Sequence, residues 1–285
     1  MGEQYLRSVN LYADDREVFS SAVNTGDVAG GLRIRFSVQQ GDTSKPNVCN
    51  VIVTNPAPSN AKAFMQEFKR ITLAAGYGGE TRIIFRGEII QARSGREDVT
   101  DTYLHVLARS GERARNYATV NQALAAGHTY RDRIDLATKA MRQYGIAIGH
   151  IEDLGGKKFP RNYIAFGMAK DLLREVCEGA GASWSIQNNT FQVVKNDSTV
   201  PGSRVVLNSN TGLIGRPVQT IQGIEGRCLL NPMLLPGGKV EINEKSVEQA
   251  AFDPAYQGER SNALIQRIAA DGVYKPCLLR CFLSH

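Results

Sequence analysis

The residues that could perform chemistry are few and scattered. Cys277, Cys281 and His285 have a loosely metal-like spacing, but no fourth ligand stands beside them. The other cysteines, at 49, 177 and 228, bring the total to an odd five, and no CxxC pair occurs, so buried free thiols are expected rather than a disulfide framework. The four histidines, at 105, 128, 150 and 285, are far apart in sequence. His105 alternates with Leu104 and Val106 and so faces away from them, as a solvated or interface histidine would. Glu88, Glu97 and Asp98 cluster in sequence, yet a hydrolytic carboxylate pair must face across a cleft, which one sequence does not establish. Gly76-Tyr77-Gly78-Gly79 has the glycine density of a phosphate loop, but a strand follows it where such a loop needs a helix N-terminus. No Walker loop, GxSxG elbow, HExxH or EF-hand loop occurs. The expectation is a protein without catalytic, cofactor-binding or metal-binding residues.

The elements that would position any site are mostly strands. Leu32, Ile34, Phe36 and Val38 alternate with Arg33, Arg35 and Ser37, which reads as a half-buried strand. Gly41, Asp42 and Pro46 form a loop before a second strand at 48–54. Asn60 is placed to cap a short helix through about residue 68, and a third strand is read at 71–74. After the glycine turn, residues 81–91 form a long strand with Ile83, Phe85 and Ile89 on one face, and Gly87 marks a bulge or close packing. Residues 102–109 are its partner.

The periodicity then changes. Thr129 and Asp132 form a capping box ahead of Tyr130, Ile134, Ala137, Met141 and Tyr144, which recur at helical spacing up to Gly145. A strand follows at 146–151, and a second helix covers about 168–178, stopped by Gly179 and Gly181. Residues 183–194 form a hairpin turning at Asn188-Asn189, pairing Ile186 with Phe191 and Trp184 with Val193. A polar linker at 195–202 leads to further strands at 203–207, 226–230 and 239–242, then to a polar, irregular stretch at 243–261. The order is β-rich, then α/β, then β-rich.

Composition bounds the class. The chain has 285 residues, enough for two or three domains, with 42% hydrophobic and 22% charged residues, as in ordinary globular chains. No apolar run is long enough for a membrane helix, so membrane insertion is not expected. The first residues carry charges where a signal peptide needs an apolar stretch, so synthesis and folding in a cytoplasm are expected. The net charge of +6 suits a nucleic-acid or acidic partner, but the basic residues form no run of five or more.

Several segments, in order, resemble the baseplate hub proteins of contractile-tailed bacteriophages. These are Leu73-Ala74-Ala75-Gly76-Tyr77-Gly78-Gly79 with Ile84-Phe85-Arg86-Gly87-Glu88-Ile89, then Thr119-Val120-Asn121-Gln122, Phe166-Gly167, and Trp184-Ser185-Ile186-Gln187. Leu207-Asn208-Ser209, Thr211-Gly212-Leu213-Ile214-Gly215 and Arg227-Cys228-Leu229-Leu230-Asn231-Pro232 continue the similarity, which spans roughly residues 30 to 245. After Gly272–Lys275 the chain departs from the pattern: Pro276 to Phe282 replaces a polar Gly-Asp loop and a final strand.

The resemblance implies a mainly β, α+β fold: two tail-tube-like β-barrel domains, at 1–118 and 201–285, flanking a small α/β domain at 119–200. It implies a structural hub, located in the virion tail baseplate and assembled in the host cytoplasm. Its partners would be itself as a homotrimer, the tail tube protein, the spike protein and other baseplate proteins, with DNA passing through its channel. Leu32, Ile34, Phe36, Ile83, Phe85 and Ile89, on strands whose edges seek partners, are the interface candidates. A tail-associated peptidoglycan hydrolase and a basic nucleic-acid-binding protein are the rival readings.

Overall fold

The computed structural model describes residues 7–21, 31–77, 80–202, 204–220, 223–242, 248–249 and 272–283. The N-terminal part supplies β1 (Arg7–Ala13), β2 (Arg16–Ser20), β3 (Ile34–Gly41), β4 (Val48–Thr54), helix α1 (Pro58–Gln66), β5 (Arg70–Tyr77), β6 (Glu80–Arg96) and β7 (Thr102–Arg109). The middle supplies α2 (Glu112–Tyr117), β8 (Thr119–Leu124), α3 (Tyr130–Arg142), β9 (Ala147–Ile151), β10 (Tyr163–Met168), α4 (Ala169–Ala180), β11 (Ala182–Gln187) and β12 (Thr190–Lys195). The rest supplies β13 (Arg204–Leu207), β14 (Leu213–Thr220), β15 (Gly223–Cys228), β16 (Lys239–Ile242), β17 (Glu248–Gln249), β18 (Val273–Tyr274) and β19 (Leu278–Leu283).

Eight strands form one antiparallel sheet in the order β19-β3-β4-β7-β6-β5-β1-β2. Alternation puts Val9 and Leu11, Ile34 and Phe36, Val51 and Val53, and Leu104 and Val106 on its inner face, all in one buried cluster. The sheet therefore curls around its own core. Helix α1 covers that core with Phe64, which stacks on Phe19 at 5.6 Å. Its N-cap is Ala57 with no side-chain bond, not Asn60. Pro58 explains the difference, because its fixed φ and missing N–H suit the first helical position and start the helix earlier.

The expected closed barrel is not seen. β19 and β2 end the sheet and do not pair with each other. β19 occupies the edge of β3, pairing Leu278 with Gly41 through Leu283 with Phe36, and that edge is the one a closing strand would need. Near the β2 end, the Leu32 N–H just before β3 donates to the Ser20 carbonyl at 3.3 Å.

Two irregularities in β6 overturn its expected face. Leu73 pairs with Phe85 and Ala74 with Ile83, so Ile84 is the extra residue of a bulge. Ile84 and Phe85 both turn inward, while Ile83 is 41% exposed. A second shift at Ile90 leaves that residue 41% exposed as well. Gly87 is required by close approach: a Cβ there would stand 2.5 Å from the Arg109 carbonyl oxygen and 2.6 Å from Phe85. Of the glycine turn before β6, Gly78 and Gly79 lie outside the described residues.

In the middle unit α3, β9, α4 and the β11–β12 hairpin follow the sequence pattern closely, while β8 and β10 are additional strands. Thr129 and Asp132 exchange side-chain and backbone bonds at the start of α3. Asn188 and Asn189 take φ of 51° and 63°, and the hairpin pairs Ile186 with Phe191 and Trp184 with Val193. β9 adds to β12 in parallel. Ile134, Met141, Leu173, Val176 and Phe191 build a second core beneath this sheet. β8 and β10 form a separate antiparallel ribbon.

The C-terminal part contains two three-stranded sheets, β13-β16-β18 and β15-β14-β17, around a small core of Leu207, Val240 and Ile242. Strands are present where a second barrel was expected, but the described ladders do not close. Most of the polar stretch at 243–261 lies outside the described residues.

Phe85 and Ile83 provide a direct test of the bulge. Phe85→Ala should destabilise the chain by about 3–5 kcal/mol, because it empties a fully buried site. Ile83→Ala should cost less than about 1 kcal/mol, because the side chain is already in water. Denaturant unfolding of the two variants measures the contrast, and equal costs would contradict the bulge.

Candidate assembly interfaces

The six interface candidates do not form one exposed surface. Ile34 and Phe36 are 4% exposed and Phe85 is fully buried, while Leu32 and Ile89 pack partly buried against the same core. Only Ile83 projects outward. These side chains hold the sheet together from inside, so what the sheet offers a neighbour is its strand edges. The outer sides of β19 and β2 carry no further strand among the described residues.

The three parts of the chain meet at the β3–β4 loop. Asp42, almost fully buried there, accepts from Lys275 Nζ at 2.8 Å, from Ser183 Oγ at 3.1 Å and from Ser185 Oγ at 3.4 Å. Its backbone N–H donates to the Cys277 carbonyl at 2.9 Å. Lys275 also donates to the Lys195 carbonyl at 3.1 Å. Beside it, Asn47 donates to the Ile186 carbonyl and to Gln187 Oε1, while Gln187 Nε2 donates to the Gly41 carbonyl at 2.8 Å. Arg115 of α2 lies 4.7 Å over Trp184 and donates to the Ser44 and Lys45 carbonyls of the same loop. Burial pushes the Arg115 guanidinium down to about 10, with Glu112 opposing. The loop residue Asp42 thus ties the first sheet, the middle hairpin and the segment between β18 and β19 together.

A second surface lies on the middle unit. The β8–β10 ribbon buries Val120 and Ala165 but leaves Ile164 74% and Phe166 82% exposed on its outer face. Between β10 and α4 runs a groove of about 360 Å³. Phe166 and Gly167 line one side; Asp171, Arg174 and Glu178 line the other. Asp171 pairs with Arg174 at 2.9 Å. Glu175 pairs with Arg133 at 3.3 Å and accepts from the Tyr163 hydroxyl at 3.0 Å. Arg133 is itself clamped between Phe159 and Tyr163, with ring centroids 4.2 and 3.8 Å from its guanidinium carbon, and donates to His128 Nε2.

No family model matches the chain, and no curated relative does. Solved structures do match. A tail protein from Neisseria meningitidis MC58 aligns over 98% of this chain and 93% of its own, with a TM-score of 0.57 and 11% identity. An E. coli component of the type VI secretion system aligns over 89% of this chain and 70% of its own, with a TM-score of 0.55 and 10% identity. That protein is described as structurally similar to the T4 bacteriophage tail proteins gp27 and gp5. The chain shares the fold of these tail and secretion-system proteins.

Within this tail-protein fold the candidate chemical groups have structural partners. Glu88 is buried and accepts from the Arg113 N–H at 2.6 Å, and Glu97 pairs with Arg35. Asp98 accepts from the Val99 N–H. His105 Nδ1 accepts from Arg93 Nε at 2.9 Å; burial, then the Arg93 charge, lowers its pKa. No group of three His, Cys, Asp or Glu residues is placed to hold a metal among the described residues, and His285 lies outside them.

Two outcomes follow. Lys275→Ala should cost about 3–5 kcal/mol, since it strands a buried carboxylate, whereas the double change Asp42→Leu with Lys275→Met should cost clearly less. Thermal or denaturant unfolding distinguishes them; a Lys275→Ala cost below about 1 kcal/mol would remove the junction from its central place. The thiols form a second test. Burial raises Cys177 to about 12 and Cys281 to about 11, with smaller contributions from Glu178 and Cys228 respectively, and raises Cys49 still further. At pH 8 these sites hold little thiolate, so exposed Cys277 should be alkylated first by maleimide, as read by peptide mass spectrometry.

Proposed function

We propose that the chain is a structural subunit of a bacteriophage tail baseplate, acting as the hub that joins a hexameric tail tube to a trimeric spike and lines the channel for DNA. The observation that carries this reading is the tail-protein fold across 98% of the chain. In the proposed state the chain is a homotrimer, put together in the host cytoplasm, that meets the tube protein, the spike protein and other baseplate proteins.

The physical argument is one of symmetry. Each subunit brings two β-rich regions, one on each side of its α/β unit, so three copies present six. A ring of that kind adapts a threefold partner to a sixfold one through repeated heterologous contacts. The outer edges of β19 and β2, which carry no further strand among the described residues, suit such contacts, because an edge covered by a neighbour no longer invites aggregation. The buried junction at Asp42 supports the same reading, since a subunit that bridges two partners must hold its β-rich regions in fixed orientation. No helix among the described residues is long and apolar enough to cross a membrane.

Native mass measurement of the purified chain under assembly conditions tests the copy number, followed by imaging of the assembled particle. Three copies per ring are expected. A monomer in the mature particle, or a ring of another number, would overturn the pseudo-sixfold argument and leave the tail-protein fold intact.

A further inference from the structure

We propose that the groove between β10 and α4 is a strand-addition site, which takes an extended segment of a partner protein in which basic and apolar residues alternate. The backbone supplies the first reason. The Ala169 N–H donates to the Ala118 carbonyl, and the β8–β10 register steps on by single residues from Met168 opposite Thr119 to Tyr163 opposite Leu124. In an antiparallel pair the hydrogen-bonded positions alternate, so Gly167, Ala165 and Tyr163 point their amides and carbonyls toward β8. Ile164 and Phe166 point theirs away from it, at the open edge of β10, and Phe166 is one of the residues lining the groove. Neither residue has a backbone bond on that side among the described residues. The edge therefore offers two N–H and two C=O groups to an added strand.

Side chains determine what the added strand must be. Residues directly opposite Ile164 and Phe166 would share their outer face, where 74% and 82% of these side chains stand in water, so apolar partners fit there. The residues between them would point inward, over α4. There the rim carries Asp171 paired with Arg174, Glu175 paired with Arg133, and Glu178, which has no ion-pair partner among the described residues. The carbonyl end of α4 lies beside Glu178 and has no basic residue in its last turn. Carboxylates and helix dipole thus act together to favour Lys or Arg. This acidic rim stands out on a chain of net charge +6. Gly167 adds room: at φ 130° it has nothing within 4 Å of where a Cβ would project. An uncovered edge with exposed Ile and Phe and no Lys or Pro between them is what a folded protein avoids unless something covers it.

The probe is a fluorescein-labelled octapeptide of alternating Val and Lys, titrated into the full chain by fluorescence anisotropy. Its comparators are the same peptide with every second amide N-methylated, and an octapeptide of alternating Val and Glu. The Val-Lys peptide should bind, more weakly as salt rises, and the Val-Glu peptide should not. N-methylation keeps the charge but removes strand bonds, and should weaken binding about tenfold or more. Glu178→Lys, on the exposed helix surface, should weaken it by a similar factor while leaving the thermal melt in place. Equal binding of the N-methylated peptide, or no binding by the folded chain, overturns the proposal. So does concentration-dependent self-association that Phe166→Asp abolishes, since a second copy would then own the groove. These readouts do not depend on the ring's copy number, so they stand or fall separately from the hub reading.

Discussion

The middle hairpin and the C-terminal segment around Lys275 both meet the first sheet at one buried carboxylate. Asp42 sits where water has been excluded, and a lone charge there would be far too costly to keep. It is tolerated because an ammonium from the C-terminal segment and two hydroxyls from the middle hairpin converge on it. A buried pair of this kind contributes little net stability compared with a well-packed apolar cluster. Its effect is selective: misdocked arrangements leave charges or amides unsatisfied, so one relative placement of the three parts is strongly preferred. Asn47 and Gln187 extend the same logic with neutral groups, bonding to each other and to backbone on both sides.

Features governed by near neighbours could be read from the sequence. The Asn188-Asn189 turn and the Thr129–Asp132 capping box both follow from local sterics or local hydrogen bonds. The same reasoning applied to Asp14-Asp15 would have found the β1–β2 hairpin, whose turn takes φ of 44° and 68°. What could not be read depends on distant partners. The bulge at Ile84 exists only because β5 fixes the opposing register. β10 was missed because its large apolar residues lie on the open side of a ribbon whose other strand is about forty residues earlier. Asp42 looked like an ordinary loop carboxylate, since Ser183 and Lys275 are remote in the chain. The interface candidates illustrate the limit most clearly: alternation predicts which residues share a face, but not whether that face turns toward a core or a neighbour.

The placement of β19 also bears on how the molecule comes into being. Phe36 pairs with Leu283, so one edge of the first sheet is completed by residues made almost a whole chain length later. Contacts of such long sequence separation close large loops and slow the search for the native state. During synthesis the β3 edge must wait, bare, while the rest of the chain emerges, although the sheet behind it can already collapse. That interval is when a strand from another nascent copy could pair in its place. The β19–β3 ladder therefore works as a latch set in time, and the chain's vulnerability to mispairing is concentrated between the folding of β3 and the arrival of β19.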